Sequence, residues 1–447
     1  MTQQAYLQDF ETFAANGGGS GPSWLPTVRR TAIARFAELG FPTPRNEDWH
    51  FTSVASIAES EFHPLTAPSG EVRAADIAPF LFGRVDWPTL VFVNGRYSPA
   101  LSSTGALPDG VRALNLAGAW REMPELLERH LTRIAAFDEH SFTALNTAFM
   151  YDGAVVHVAK DAQSRTPIHL LHVGDPIAAR AVLHPRHLIV AERHASARVI
   201  ESYVSLGDAR YFTNTVTEVA LDEGARLEHY KIQRESQRAF HIGTIDVHQA
   251  RDSKYASFSF ATGAALSRTN IYTVLDGEGA EVWMNGLYMV DGEQHVDHQT
   301  RIVHAQPNCA SHEVYKGILG GASHGVFNGK VFVHPIAQKT DGKQENNNLL
   351  LSDKARIDTK PQLEIFADDV KCTHGATVGK LDTLSLFYMK SRGLPHDVAR
   401  RLLIYAFAAD VLERLEIGEV RDTLEELTLR RFALLEEELQ GAEGVAV

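Results

Sequence analysis

Cysteine is almost absent from this sequence, since Cys309 and Cys372 are the only two in 447 residues. Two cysteines cannot build the disulfide framework of a small secreted protein, so the sequence favours a reducing compartment. No uncharged apolar run approaches the roughly 20 residues that a membrane-spanning helix needs. The N-terminus also lacks the basic-then-apolar order of a signal peptide. We therefore expect a cytoplasmic protein with no membrane segment.

Positive charge is also scarce. The chain has 43 Lys and Arg against 56 Asp and Glu, which gives a formal net charge of -13 with histidine neutral. Nucleic-acid binding requires clustered basic side chains that neutralise phosphates, so this composition argues against a nucleic-acid partner. Hydrophobic residues make up 44% of the chain, enough to bury a large core. The length predicts roughly two to three domains.

A complete phosphate-binding P-loop is missing as well. Residues 325–330 and 375–380 each have one residue too few between their glycines. Lys330 and Lys380 are followed by Val and Leu, whereas a P-loop needs a magnesium-binding Ser or Thr there. We therefore do not expect this chain to be an ATPase.

What is present is a long β-rich region between two regions of different character. Residues 1–150 form a mixed, mainly helical region, and residues 366–447 are mainly helical. Between them, short β-rich runs alternate with small polar turns that close on alanine, at a spacing of roughly 25–30 residues. A β-sandwich would also give many short strands. A β-solenoid is favoured because roughly 200 residues pass without a convincing helix or long polar–apolar alternation.

The C-terminal region contains more apolar surface than a lone exposed helix usually shows. Leu381, Leu384, Phe387 and Tyr388 share one helical face. A second helix, after Pro395, has a wide apolar stripe. We expect these helices to pack on the body of the protein or on a partner.

Histidines and carboxylates give only weak signals for a site. Six histidines lie within forty residues, but no His-Glu-x-x-His pattern is present, and the step from His295 to His298 along a strand points the rings to opposite faces. Metal binding by this group and a structural ladder of histidines both stay open. Glu201, Asp246 and Glu278 raise the alternative of a β-helix enzyme that cleaves polysaccharides with paired carboxylates.

The two cysteines differ in their surroundings. Cys309 lies in a Pro-Asn-Cys-Ala turn and is expected to be an ordinary small buried residue. Cys372 lies two residues from His374, and on an extended segment the two side chains project to the same side. Thiolate and imidazole both bind iron and zinc, but a cluster needs roughly four ligands. If the pair binds metal, the missing ligands are expected from another chain.

One long segment carries a family resemblance. Residues 358–379 read Asp-Thr-Lys-Pro-Gln-Leu-Glu-Ile-Phe-Ala-Asp-Asp-Val-Lys-Cys-Thr-His-Gly-Ala-Thr-Val-Gly, and residues 311–317 and 386–393 continue the match. The segment resembles the SufB/SufD family of iron–sulfur cluster assembly scaffold proteins. Gly375, which follows the histidine, and the Pro-x-x-Glu-Asp-Trp segment at residues 44–49 are similar to the SufD branch.

The resemblance implies a mainly β fold with a right-handed parallel β-helix core flanked by helical domains. The N-terminal domain would be residues 1–150, the β-helix core residues 151–365, and the C-terminal helical domain residues 366–447. It also implies a non-enzymatic scaffold in a SufBCD-type complex with a SufB-like paralogue and a SufC-like ABC-type ATPase. The ATPase would dock on the C-terminal domain and would be the only subunit to bind ATP.

For the site, the resemblance implies His374 first and Cys372 second, at the interface where a transient iron–sulfur cluster forms. The essential thiolate would come from the SufB-like partner. We expect no cofactor on the isolated chain, which would form a homodimer in the absence of its paralogue. Two alternatives are the polysaccharide enzyme and a self-sufficient iron or zinc protein that uses the histidines between His295 and His334.

Overall fold

The computed structural model describes residues 3–16, 21–65, 72–105 and 107–443. It confirms the expected architecture, since two long, mainly parallel sheets wind into a β-solenoid with helices at both ends. No helix of the described residues is long and apolar enough to cross a membrane.

The α-helices lie outside the solenoid in the sequence. The N-terminal ones are α1 Gln3–Ala15, α2 Leu25–Leu39, α3 Ala55–Ala58, α4 Ala74–Ile77, α5 Leu116–Glu122, α6 Pro124–His130 and α7 Ser141–Phe149. The C-terminal ones are α8 Thr383–Ser391, α9 His396–Leu412 and α10 Gly418–Glu443.

The strands form two sheets, here called the first and the second sheet. The first contains β1 His63–Pro64, β4 Val111–Asn115, β5 Ala154–Val158, β7 Ala181–Leu183, β8 Arg186–Ala191, β10 Phe212–Leu221, β12 Phe240–Gln249, β14 Leu266–Leu275, β16 His295–His304, β18 His324–Val333 and β20 Arg356–Ile365. The second contains β2 Thr89–Val93, β3 Arg96–Tyr97, β6 Ile168–Gly174, β9 Ser196–Ser205, β11 Arg226–Arg234, β13 Lys254–Ala261, β15 Glu281–Val290, β17 Ala310–Leu319, β19 Asp341–Leu350 and β21 Lys371–Gly379.

The coil arises because, from β8 onward, successive strands alternate between the two sheets and each pairs in parallel with the strand two places later. Along each strand, alternate side chains point into the coil, where Val, Ile, Leu, Tyr and Phe from both sheets form one continuous core. The residue before each strand of the second sheet stacks at a corner, which explains the recurring turn alanines. Ala195, Ala225 and Ala280 occupy this corner, and Cys309 takes the same place one coil later. Cys309 is therefore a buried corner residue, as expected.

The N-terminal region closes one end of the coil. The hairpin of β2 and β3 turns at Asn94 and Gly95, both of which have positive φ, and β2 pairs with β6. β4 pairs with β5 in the first sheet. These strands extend both sheets, and α1, α2 and α7 pack with them over the first coils, so the region supplies strands as well as the expected helices.

At the other end the strands continue further than expected. β21 lies beyond residue 365, where we placed the end of the β-helix core, whereas the helical pattern expected after Gly379 is confirmed by α8, which begins at Thr383. β21 was hard to recognise because it is an edge strand with mostly exposed side chains and therefore lacks apolar alternation. α9 packs on the second sheet through Ile404, Ala408 and Val411.

Candidate functional site at the open end of the solenoid

The last coil leaves one end of the solenoid open. β20 and β21 end the strand order of the first and second sheets, and each pairs with only one strand of its own sheet. An edge strand presents unpaired backbone N–H and C=O groups, which can pair with another chain. The inward-facing side chains of this last coil have no further coil above them, so β20 is only partly buried and β21 is largely exposed. We call this surface the open end.

Cys372 and His374 both lie on β21. Their partners in the register with β19 are Gly342 and Gln344, which are buried on the inner side of the strand. Because side chains alternate along a strand, both residues face the interior side of the coil at its open end. His374 is exposed and Cys372 is half-buried. The extended segment and the shared side expected from the sequence are therefore present.

Cys372 packs over the interior of the coil. Its sulfur faces Gly342, where a Cβ atom would lie only 3.3 Å from Sγ and 3.5 Å from Ser311 Oγ. The side chain also borders a small apolar cluster that includes Val333 and Ala337. Burial raises the pKa of the Cys372 thiol above its usual value, and the nearby Asp341 carboxylate acts in the same direction. The thiol is therefore protonated at neutral pH and is a weak nucleophile in this state.

The flank of the open end is braced by the N-terminal segment that contains Trp49. The Arg268 guanidinium lies 3.7 Å from the centre of the Trp49 ring and forms an ion pair with Asp297 at 2.7 Å. Glu47 reaches the last strand of the first sheet, where its carboxylate lies 3.0 Å from Lys360 Nζ. The segment thus fixes the edge of the first sheet from outside.

The histidines between His295 and His334 do not converge. His298 and His304 point into the coil, and His304 Nε2 lies 2.9 Å from Ser311 Oγ. His295 and His324 meet edge to face outside the first sheet, with their ring centres 4.7 Å apart. The described residues contain no group of three His, Cys, Asp or Glu side chains that could hold a metal ion. The arrangement fits the ladder interpretation better than the metal interpretation.

The three carboxylates considered for a polysaccharide enzyme are also separated. Glu201 is buried inside the coil and lies 2.8 Å from His229 Nε2. Asp246 lies on β12 of the first sheet, whereas Glu278 is in an exposed turn beside Arg251. They do not form a pair in one groove. Residues 325–330 and 376–379 are strand residues, so neither near-match to a P-loop has the loop-to-helix geometry of a phosphate site.

Sequence analysis missed the polar side chains directly behind the open end. Glu313 on β17 and Gln344 on β19 are both 1% exposed, and Gln344 Nε2 donates to Glu313 Oε2 at 2.6 Å. Asn346 and Asn348 follow Gln344 on the same face of β19, and Asn348 Nδ2 lies 2.6 Å from Asn346 Oδ1. A signal was present, because polar residues at every second position of a strand mark one face. The sequence does not show that this face is the inner one.

Comparison with known proteins gives a consistent result over the whole chain. The family model described as "SUF system FeS cluster assembly, SufBD core domain" matches residues 175–407, and the "SufBD protein N-terminal region" matches residues 1–170. An iron–sulfur cluster assembly SufBD family protein of Synechocystis is 34% identical over 414 residues, 91% of each chain. The iron–sulfur cluster assembly protein SufD of Escherichia coli is 34% identical over 86% of this chain and 87% of its own. The SufD protein of Bacillus subtilis is 30% identical over 90% and 93%.

Proposed function

The chain belongs to the SufB/SufD family of iron–sulfur cluster assembly proteins, with SufD proteins among its relatives, and from this premise we propose that it is the SufD-type scaffold subunit of a SufBCD-type complex. It has no ATPase or other catalytic activity of its own. Its open end pairs with a SufB-like paralogue, and His374 and Cys372 contribute to the site where a nascent cluster forms. The complex works in the cytoplasm, where both free cysteines stay reduced.

The observation that carries this proposal is the position of the Cys372–His374 pair. Both lie on an edge strand that is paired on one side only, and their side chains face the side of the coil that a docked second solenoid would cover. Two ligands cannot complete an iron–sulfur cluster, which needs roughly four, so the site requires the partner. The edge strand supplies the means of docking, because its free backbone groups can pair with a strand of the partner. In the absence of the paralogue, the same surface pairs with a second copy of this chain.

The different exposure of the two residues supports different roles. Burial holds Cys372 as a protonated thiol, and a thiol must lose its proton before it binds iron. Cys372 therefore becomes a ligand only after its surroundings change. His374 is already exposed and requires no such change. We accordingly assign His374 as the first iron-binding group on this side and Cys372 as the second.

A partner ATPase supplies the movement that would expose Cys372. Helix α8 presents Leu384, Phe387 and Tyr388 to solvent, with 73%, 68% and 58% of their surfaces exposed. A monomer seldom exposes such a cluster of large apolar side chains, so this face supports docking of a SufC-like ATPase. α9 connects that face to the solenoid, because Lys316 of β17 forms an ion pair with Asp410 at 2.7 Å. ATP binding by the partner would shift the two scaffold chains through this connection and favour the exposed state of Cys372.

The decisive experiment is anaerobic reconstitution of the complex that this chain forms with its SufB-like and SufC-like partners. The His374→Ala complex is expected to assemble normally and to retain at least about tenfold less iron and sulfide, as loss of a ligand typically causes. His248→Ala is the matched control, because His248 is also an exposed strand histidine but lies on β12, away from the open end. An unchanged cluster content in the His374→Ala complex would assign the ligands to the partner alone.

A further inference from the structure

The strand register places three side chains in one row that runs from the interior to the open end. Glu313 on β17 pairs with Gln344 on β19, which pairs with His374 on β21. On the inner side of Glu313 the row continues with Met284, a buried apolar residue of the core. Adjacent strands lie about 4.8 Å apart, so neighbouring side chains in the row are in reach of one another. Met284 thus separates the three polar side chains nearest the open end from Ser257 and His229, which continue the row further inside.

Gln344 is held in a defined orientation. Its Nε2 donates to Glu313 Oε2 at 2.6 Å, and the described residues provide no hydrogen-bond partner for its buried Oε1. The amide reaches across the coil to Gly329 on β18, where a Cβ atom would lie 2.1 Å from Gln344 Nε2. The missing side chain at Gly329 thus makes room for the amide. An unsatisfied buried carbonyl oxygen costs roughly 1–3 kcal/mol, so Oε1 favours any donor that can reach it.

From this arrangement we infer that Gln344 is a positioning residue for His374, with Glu313 fixing the Gln344 amide so that its vacant Oε1 accepts a hydrogen bond from a ring N–H when the His374 ring turns towards it. The inference rests on the proposed function, in which His374 binds iron. A histidine ligand generally donates its other ring N–H to an oxygen, which fixes the tautomer and the ring orientation. Gln344 Oε1 supplies that oxygen and leaves the second ring nitrogen, with its lone pair, directed away from the coil.

Alternative roles for the row fit the structure less well. A purely structural pair would be expected to satisfy both ends of the Gln344 amide, as the buried amides Asn346 and Asn348 do with Tyr288. Instead, Gln344 Oε1 has no partner among the described residues, and Gln344 is the residue directly paired with His374, the candidate ligand. The Glu313 carboxyl is itself held in an unusual state, because burial raises its pKa to about 7.

The test measures the tautomer of His374 in the isolated full-length chain by 15N NMR of histidine-labelled protein, with His374→Ala used to assign the signal. In the wild type, one tautomer is expected to exceed its population in the urea-unfolded chain, which is the control because His374 has no fixed acceptor there. Gln344→Met keeps the length and volume of the side chain but removes the acceptor, and is expected to return His374 to the control population. Gln344→Glu keeps an acceptor oxygen and is expected to restore the wild-type preference.

Two further arms keep the test decisive. If Gln344→Met does not fold, Gly329→Ala displaces the amide from the opposite wall and should give the same loss of tautomer preference. In the reconstituted complex, Gln344→Met should lower the affinity for ferrous iron about 10- to 100-fold, and Gln344→Glu should recover most of it. A His374 tautomer that is the same in wild type and Gln344→Met overturns the inference, whatever the iron content. If the tautomer shifts while His374→Ala leaves the cluster intact, the positioning role stands and the proposed function fails.

Discussion

Arg186 and Glu218 form an ion pair that is completely excluded from solvent, with Arg186 Nη2 2.7 Å from Glu218 Oε2. The same carboxylate accepts hydrogen bonds from three backbone N–H groups of the segment after α6, those of Thr132, Ile134 and Ala135. Arg186 also donates to Asn146 and Thr147 of α7. One buried pair therefore joins neighbouring strands of the solenoid to the N-terminal region.

Loss of this pair should strongly destabilise the protein. Glu218→Ala leaves a buried guanidinium without its counter-charge, which typically costs about 3–5 kcal/mol. We expect a clearly lower urea midpoint of unfolding, followed by circular dichroism. Glu278→Ala is the control, because it removes the exposed partner of Arg251 and should change the free energy of unfolding by less than about 1 kcal/mol. Equal midpoints for the two variants would contradict the expectation.

Stability should fall in mild acid. Burial lowers the pKa of eleven of the described histidines below 6.5. It falls to about 3 or 4 for six of them, which are His169, His184, His187, His295, His298 and His304. The other five are His130, His140, His172, His241 and His312. The histidines of the unfolded chain take up protons below about pH 6.5, whereas these buried rings of the folded protein do not. The contribution of the neutral rings to the free energy of unfolding is therefore fully present above that pH. It is lost progressively as the pH falls towards about 4.

The measurement is the urea midpoint at about pH 7 and about pH 5. Glu313 and Asp246 act in the opposite direction, because burial raises their pKa values to about 7 and about 8, but they are outnumbered. His298→Phe is the diagnostic variant, since both ring nitrogens of His298 lack a partner and the ring stacks on Tyr288. It should reduce the loss of stability in acid by about 1.4 kcal/mol for each pH unit between 6.5 and the pH of the measurement. An unchanged loss in this variant would count against the assignment.

The exposed face of α8 should be required for the ATPase partner. Leu384→Glu combined with Phe387→Glu introduces two charges into that face and should abolish co-purification with the SufC-like subunit. The chain itself should keep its thermal stability, because both side chains are mostly in solvent. Ile177→Glu, at another largely exposed apolar residue near the closed end, should leave binding intact. Retention of the ATPase by the double variant would exclude this face as the docking surface.

Docking at the open end should depend on the free N–H groups of β21. Lys371 N donates to Thr340 O of the neighbouring chain segment, so N–H groups at alternate positions, including Ala376, point to the unpaired side. Ala376→Pro removes one such group and should prevent pairing with the SufB-like paralogue while the chain still folds, because proline is tolerated on the outer side of an edge strand. Size-exclusion chromatography with light scattering measures the association. Ala376→Val keeps the N–H and should associate normally.

Much of the fold could be predicted because its signals are local. The recurring polar turns predicted the solenoid. The residues from Thr89 to Arg96 predicted a strand that ends in an Asn-Gly turn, which the hairpin of β2 and β3 confirms. The same-side placement of Cys372 and His374 also followed from strand geometry alone. The end of the β-helix could not be predicted in this way, because β21 is exposed and has no apolar pattern.

The contact between Glu313 and Gln344 could not be predicted from the sequence. Glu313 and Gln344 are separated by a complete turn of the coil, and the sequence between them gives no indication that they touch. Their contact depends on the register of β17 with β19, which is set by pairing along the whole strand.

The sequence by itself determined the repeating coil, the family, and the pair Cys372 and His374, because turn composition, apolar content and a continuous motif are local properties. Only the tertiary structure decided that this pair lies on an edge strand, that Cys372 is half-buried over Gly342, and that Gln344 stands behind His374. The burial of a residue, its position on an edge strand and its cross-strand contacts all depend on which coils of the solenoid lie next to each other. In a parallel solenoid those neighbours are roughly 30 residues apart in the chain.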